Sequence, residues 1–397
     1  MVKVRVLQRS FDNRILYIFL WSLYILFFPF RLFSSGNPQI ADIFFILLFL
    51  LILAREKLYL DERLVTCLKS LGLFVLCTIL VNGYWAFRLS DPVMIFPSLY
   101  YFYDMLIFAT FLFLCRETDG KILLYTTWVI GISSVLPVLH IAGSFIIDTP
   151  VRNSVFFQNQ SQFGYWALLS ATIVFMTGLQ EKISPVFKTT VYLCLGICAY
   201  FSSSRAAMAG MIILGCVMAW RFCSKDKRLT KLFWSSCLLI VMMAGSWVAS
   251  DAAFRQYLSG RILKHDRTIT TLLERRYYDR LWLEPEYLIL GAGEGAYGRF
   301  QYDAPEADEV HSAIGTVAFS YGIPGVVLFV VFLGLIIKYS QSFSVLSLFG
   351  VFFYNLLHQG LRFSLLWVAL ACCLCMAFDF GRDRPVFSLR RFKPAEI

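Results

Sequence analysis

The sequence predicts an all-α polytopic membrane protein of about twelve transmembrane helices, with one large periplasmic loop between spans nine and ten. Three observations carry that expectation. Hydrophobic residues make up 58% of the 397-residue chain and charged residues 16%, against about 25% charged in soluble proteins, and the mean hydropathy is +0.67. Apolar runs near the ~20 residues that cross a bilayer as a helix recur along the chain. Lysine and arginine alternate in abundance from one connecting segment to the next. An outer-membrane barrel would show ~10-residue stretches of alternating polarity, and the sequence has none.

In chain order the expected spans are residues 15–33, 40–54, 64–81, 93–115, 122–147 and 163–179, then 187–201, 206–222, 232–249, 313–337, 343–357 and 363–378. The first is longer than a signal-peptide core and lacks a small-residue cleavage site, so it reads as a retained signal anchor. The fifth is long and contains Pro137, which predicts a kink or tilt. Asp104 falls inside the fourth. A carboxylate there is costly in lipid and is either paired with another span or functional. The chain divides into spans one to nine (1–249), the polar loop (250–311), spans ten to twelve (312–379) and a basic tail (380–397).

Orientation follows from the positive-inside rule. With the N-terminus inside, the inner segments hold 23 of the 36 Lys and Arg residues. The five short outer segments hold one each: Arg31, Arg88, Arg152, Arg205 and Arg362. The large loop holds eight. Both termini are therefore expected in the cytoplasm and the large loop on the outer face, which in a bacterial inner membrane is the periplasmic side. The net charge of +10 then reflects this distribution and not a nucleic-acid partner. Eleven of the twelve lysines lie inside, whereas twelve of the thirteen outer cations are arginine. Either insertion bias and chance made that split, or the outer surface handles phosphate, which arginine grips in bidentate fashion. All eleven cysteines lie in or beside apolar runs and none in the loop, which argues against a disulfide framework or zinc site there.

Candidate chemistry clusters on the outer side. Arg205 follows Ser202-Ser203-Ser204 before span eight. It either snorkels to lipid headgroups or joins Ser204 and free helix N–H groups in a phosphate cradle. Arg276 and Arg280 share one face if their segment is helical, as a polyanion site or an ordinary solvated helix. Gly293, Gly295 and Gly298 form a G-x-G-x-x-G without a βαβ context, so no Rossmann site is expected. A turn letting backbone approach a ligand, or a chain reversal, remains. His311-Ser312 sits where loop meets membrane, and Gly322, Pro324 and Gly325 predict a break in span ten. His311 reads as a general base, a phosphate ligand or a surface residue before a kinked helix. Arg152, in a polar outer loop, and His358 and Arg362, flanking the last outer turn, are further substrate-binding candidates.

His311, Ser312, nine residues and then Gly322 and Gly325 resemble the H-[N/S/Q]-x9-G-x-x-G pattern of the O-antigen ligase and polymerase superfamily, multi-span bacterial glycosyltransferases of GT-C-like fold. Ser204-Arg205 at an outer helix start, Arg276-x-x-x-Arg280 and the glycines before His311 match as well. The resemblance covers mainly residues 201–327. It implies metal-independent, cofactor-free transfer of a glycan from undecaprenyl pyrophosphate to an acceptor hydroxyl. Arg205, Arg276 and Arg280 would bind the pyrophosphate, with His311 activating the acceptor or joining that site, and Ser204, Ser312, Arg152, His358 and Arg362 completing it. Ligases often carry an arginine followed four residues later by leucine in this loop. No loop arginine here does, and residues 276–300 look more like exopolysaccharide polymerases.

The expectation is therefore a polymerase of undecaprenyl-pyrophosphate-linked repeat units, making exopolysaccharide or O-antigen. The alternatives are a ligase using lipid A–core as acceptor, and a lipid-linked glycan flippase. Partners would be the lipid-linked glycan, its acceptor, membrane lipids and other polysaccharide-assembly proteins, without nucleic acid. The chemistry agrees with this reading. Outside the cytoplasm the donor must arrive activated, and preplaced arginines act best where charge develops on a diphosphate leaving group. Eleven acids against eight bases in the loop mean that some of its arginines are paired structurally.

Overall fold

The computed structural model describes residues 2–33, 37–55, 60–146, 155–179, 183–225, 276–300 and 309–378. Arg152, the expected ninth span, loop residues 250–275 and 301–308, and the tail from 379 lie outside the described residues. Among those described the fold is all-α, with no strand. The long elements are α1 (Val2–Phe27), α2 (Ile40–Arg55), α3 (Glu62–Leu89), α4 (Phe96–Glu117), α5 (Lys121–Ile146), α6 (Gln160–Gly178), α7 (Pro185–Phe201) and α8 (Arg205–Lys225). After the loop come α9 (Ala313–Tyr339), α10 (Ser342–Ser347), α11 (Phe349–Leu357) and α12 (Ser364–Cys375).

Local sequence sets these boundaries. Asp61 caps α3 by accepting from Arg63 N, and Ser90 ends it at φ 54°. Asn159 caps α6 through Gln162 N at 2.8 Å. Pro185 opens α7, where its missing N–H breaks no helical bond. Helix α5 runs through Pro137 as one element. The expected eleventh span is two pieces, α10 and α11, meeting at Leu348.

Among the described residues, four helices are long and apolar enough to cross a membrane: Glu62–Leu89, Pro92–Glu117, Lys121–Ser144 and Ala313–Tyr339. Shorter apolar helices cover Asn13–Phe27, Pro185–Phe201, Ser342–Leu357 and Ser364–Cys375. Leu73, Leu76 and Leu80 on α3 and Val327, Val330 and Val331 on α9 point outward at helical spacing. Such apolar faces are compatible with a protein solvated by lipid. At the centre, α6 is buried continuously from Phe163 to Thr177 and α12 along its whole length, as expected of helices apolar all round. Helix α12 packs on α4 and α6, α9 on α3, and α11 on α8.

Candidate functional site

The glycine-rich segment and the break in span ten are two halves of one joint. Gly322 sits at φ 60°, ψ −162° inside α9, a conformation open in practice only to glycine. Pro324 has no N–H to give the carbonyl of Ser320, four residues back. Gly293 N supplies that bond at 2.8 Å, and Ala292 N bonds Phe319 O at 2.9 Å. The approach is too close for side chains. A Cβ on Gly291 would lie 2.4 Å from Ser320 O, and one on Gly322 would lie 2.7 Å from Gly291 N. The glycines thus let backbone meet backbone, inserting the end of the loop between α3 and α9.

That insertion delivers Glu294 to a fully buried position. Its Oε1 accepts from Tyr101 OH at 2.5 Å and Tyr321 OH at 2.9 Å, and its backbone N–H donates to Asn82 Oδ1 at 2.8 Å. Oε2 accepts from Arg362 Nε at 2.9 Å and also from Nη2. A second carboxylate, Glu309, lies 2.8 Å from the same Nη2. Burial alone would lower the Arg362 pKa, but Glu294 and Glu309 outweigh it and hold the guanidinium well above its ordinary value. Arg362, expected as a substrate ligand, anchors the last outer turn to the inserted loop and also lines the cavity described below.

Three segments converge beside this anchor. Tyr277 adopts φ 56°, so Arg276 and Arg280 do not share a helical face; the helical turn Arg280–Leu283 begins only at Arg280. The Arg276 carbonyl accepts from His311 N at 3.0 Å. Its guanidinium Nη1 donates to Leu357 O, lies 3.4 Å from His358 Nδ1 and reaches His311 O at 3.5 Å. Tyr278 OH bonds Ser312 Oγ at 2.5 Å and Leu356 O at 2.9 Å. Burial, then Arg276 and His311, push the His358 pKa down to about 4, so its ring is neutral at pH 7. Nδ1 facing a guanidinium makes it the Nε2–H tautomer.

Arg276, His311, His358 and Arg362 all line one cavity of about 610 Å³, within the range of small-molecule sites. Tyr165 and Tyr354 stack at 4.1 Å on its wall, and Tyr354 stacks in turn on His358. Its lining also holds a second charged cluster, Arg31, Asp42 and Asp104, whose members act on one another. Arg31 lies over the rings of Phe28 and Phe363, 4.7 and 5.2 Å from their centroids. Asp42 accepts from Tyr103 OH at 2.6 Å and Gln39 N at 2.7 Å.

No protein-family model matches the chain, and no curated protein does.

The remaining expected residues are placed differently. Ser312 is buried and caps α9, accepting from Gly315 N at 3.2 Å and donating to Asn355 O at 3.3 Å. Ser204 is buried too, and its hydroxyl accepts from Ala207 N at 3.4 Å. Arg205, exposed at the start of α8, is not part of the cavity lining. Its neighbours Ser202 and Ser204 flank Gly164 of α6, two residues from the lining residue Gln162. Arg280 is 1% exposed, with the rings of Tyr277, Phe300 and Tyr297 at 4.7, 5.3 and 5.7 Å; it faces aromatics and not the cavity. Sequence reasoning missed Arg31, Asp42 and Glu294. Arg31 counted there only as an outer cation, and Glu294 only as one of eleven loop acids. The pairing of their neighbours spans up to 200 positions, which no local pattern records.

Proposed function

We propose that the chain is a membrane glycosyltransferase that polymerises undecaprenyl-pyrophosphate-linked repeat units at the outer face of a bacterial inner membrane. The observation that carries this reading is the convergence of Arg276, His311 and His358, from three separate segments, at one end of a cavity with aromatic walls. In this reading the acceptor hydroxyl oxygen attacks the anomeric carbon of the donor, and the bond from that carbon to the diphosphate oxygen breaks. Arg276, whose guanidinium also donates to the Leu357 and His311 carbonyls, would stabilise the charge that develops on the leaving diphosphate, where stabilisation lowers the barrier most. His311 takes the proton of the acceptor hydroxyl or helps hold the diphosphate. His358, neutral beside Arg276, orients the guanidinium without adding repulsion. Arg205 would enter from the rim and not from the wall.

Purified protein supplied with lipid-linked repeat units alone tests the reading. Longer lipid-linked chains are expected. Transfer that appears only when lipid A–core is added would make the protein a ligase. No transfer under either condition would reject a glycosyltransferase.

A further inference from the structure

The two ends of the cavity differ in charge. One end presents Arg276 and Arg362 with the two histidines and one carboxylate, Glu309. The other presents Asp42 and Asp104, faced by the single cation Arg31. Asp104 is 1% exposed, and neither of its carboxyl oxygens has a hydrogen-bond partner. Ser364, Trp367 and Arg31 lie beside it, the Trp367 indole N–H going to Leu361 O at 2.7 Å. A buried carboxyl group without a well-made hydrogen bond is costly and persists where a ligand or a function requires it. Asp42, by contrast, is held rigidly by Tyr103 and Gln39.

We infer that the Asp42–Asp104 end of the cavity is a sugar-hydroxyl subsite, which holds the glycan of a lipid-linked ligand while its diphosphate lies at the Arg276 end. This rests on the reading of the cavity as a site for a diphosphate-linked glycan, and it adds an orientation. Two carboxyl groups offer oxygens that accept from the hydroxyls a glycan has in excess, whereas a diphosphate has few protons to donate to them. Arg31 offers donors for ring and hydroxyl oxygens. Tyr100, Tyr103 and Phe363, also in the wall, provide flat faces for the C–H side of a sugar. A cation fits less well: Arg31 already supplies the positive charge, and among the described residues no three His, Cys, Asp or Glu side chains are grouped to hold a metal ion. Asp104 is thereby a binding residue, set apart from the groups that act on the reacting bond.

The test separates the two ends of the ligand. Binding to protein in nanodiscs is measured for two probes. One is undecaprenyl pyrophosphate without sugar. The other is the water-soluble oligosaccharide released by mild acid from the lipid-linked pool of the source cells. D104N and D42N are expected to weaken oligosaccharide binding about tenfold or more, since each replaces an acceptor oxygen for a sugar hydroxyl by an NH2 group. Both should bind undecaprenyl pyrophosphate as the wild type does, which also shows that they fold. Unchanged oligosaccharide binding in D104N, or none to the wild type at millimolar probe, overturns the subsite. Failure of the wild type to bind undecaprenyl pyrophosphate would instead reject the diphosphate reading. Oligosaccharide binding that still depends on Asp104 would then leave the subsite standing alone.

Discussion

Replacing Glu294 by glutamine should destabilise the protein more than any other single-atom change at the loop–helix joint. The carboxylate is fully buried and accepts from two phenols and twice from Arg362. An amide keeps one acceptor oxygen but turns an NH2 group toward the phenols or the guanidinium. Breaking a buried ion pair costs about 3–5 kcal/mol. E294Q belongs at the lower end, about 3 kcal/mol, because Arg362 keeps Glu309 at 2.8 Å and its side chain is 27% exposed. R362M belongs at the upper end, about 5 kcal/mol, because it leaves the Glu294 charge with only Tyr101, Tyr321 and the buried surroundings. The double variant E294Q/R362M should lose less than the two single losses added together, since neither partner is then left as an uncompensated charge. Thermal unfolding in detergent, followed by tryptophan fluorescence, reads this as a fall of several degrees for each single variant. A melting curve for E294Q within about a degree of wild type would show that the joint does not carry stability as argued.

Other perturbations probe separate parts of the structure. G322A should open the joint, because the new Cβ meets Gly291 N at 2.7 Å and two loop carbonyls at 2.9 Å. Limited proteolysis should then cut within residues 276–300, while G334A, with nothing within 4 Å, stays resistant. The His358 pKa of about 4 against an ordinary 6.5 means the folded state resists protonation. Its stabilising contribution is complete above pH 6.5 and is lost as pH falls towards 4. The loss is at most about 3 kcal/mol, less for a partly exposed ring, and H358N should flatten that part of the pH–stability curve. R280A should lower thermal stability by removing a cation boxed by three rings, yet leave undecaprenyl pyrophosphate binding unchanged; a loss of binding would place Arg280 back among the ligands.

What could be read from the sequence was mostly what one helix or one turn decides alone. The apolar runs gave α3, α4, α5 and α9 because burial and backbone satisfaction in lipid leave few alternatives to helix. The spacing of Gly322, Pro324 and Gly325 marked a break in span ten, but not its partner: the bonds from Ala292 N to Phe319 O and from Gly293 N to Ser320 O depend on the chain folding back on itself well beyond one helical turn. Arg276 and Arg280 looked equivalent at helical spacing. The left-handed Tyr277 sends one to the cavity and the other among aromatics. Arg362 matched the profile of an anion ligand, and only the fold reveals the two carboxylates that hold it. Asp104 stood out by its cost in lipid, and its open carboxylate keeps that question as sharp in the structure. Ser204 and Ser312 illustrate a general ambiguity, since a hydroxyl at a helix start serves the backbone as readily as a phosphate.

The most direct measurement is glycan transfer by purified protein given lipid-linked repeat units, comparing wild type with R276A and H311A at equal folded fraction. Longer lipid-linked chains from the wild type, and a loss of about 100-fold or more in rate for each variant, are the result the convergence of these residues predicts. Wild-type rates in both variants would contradict it.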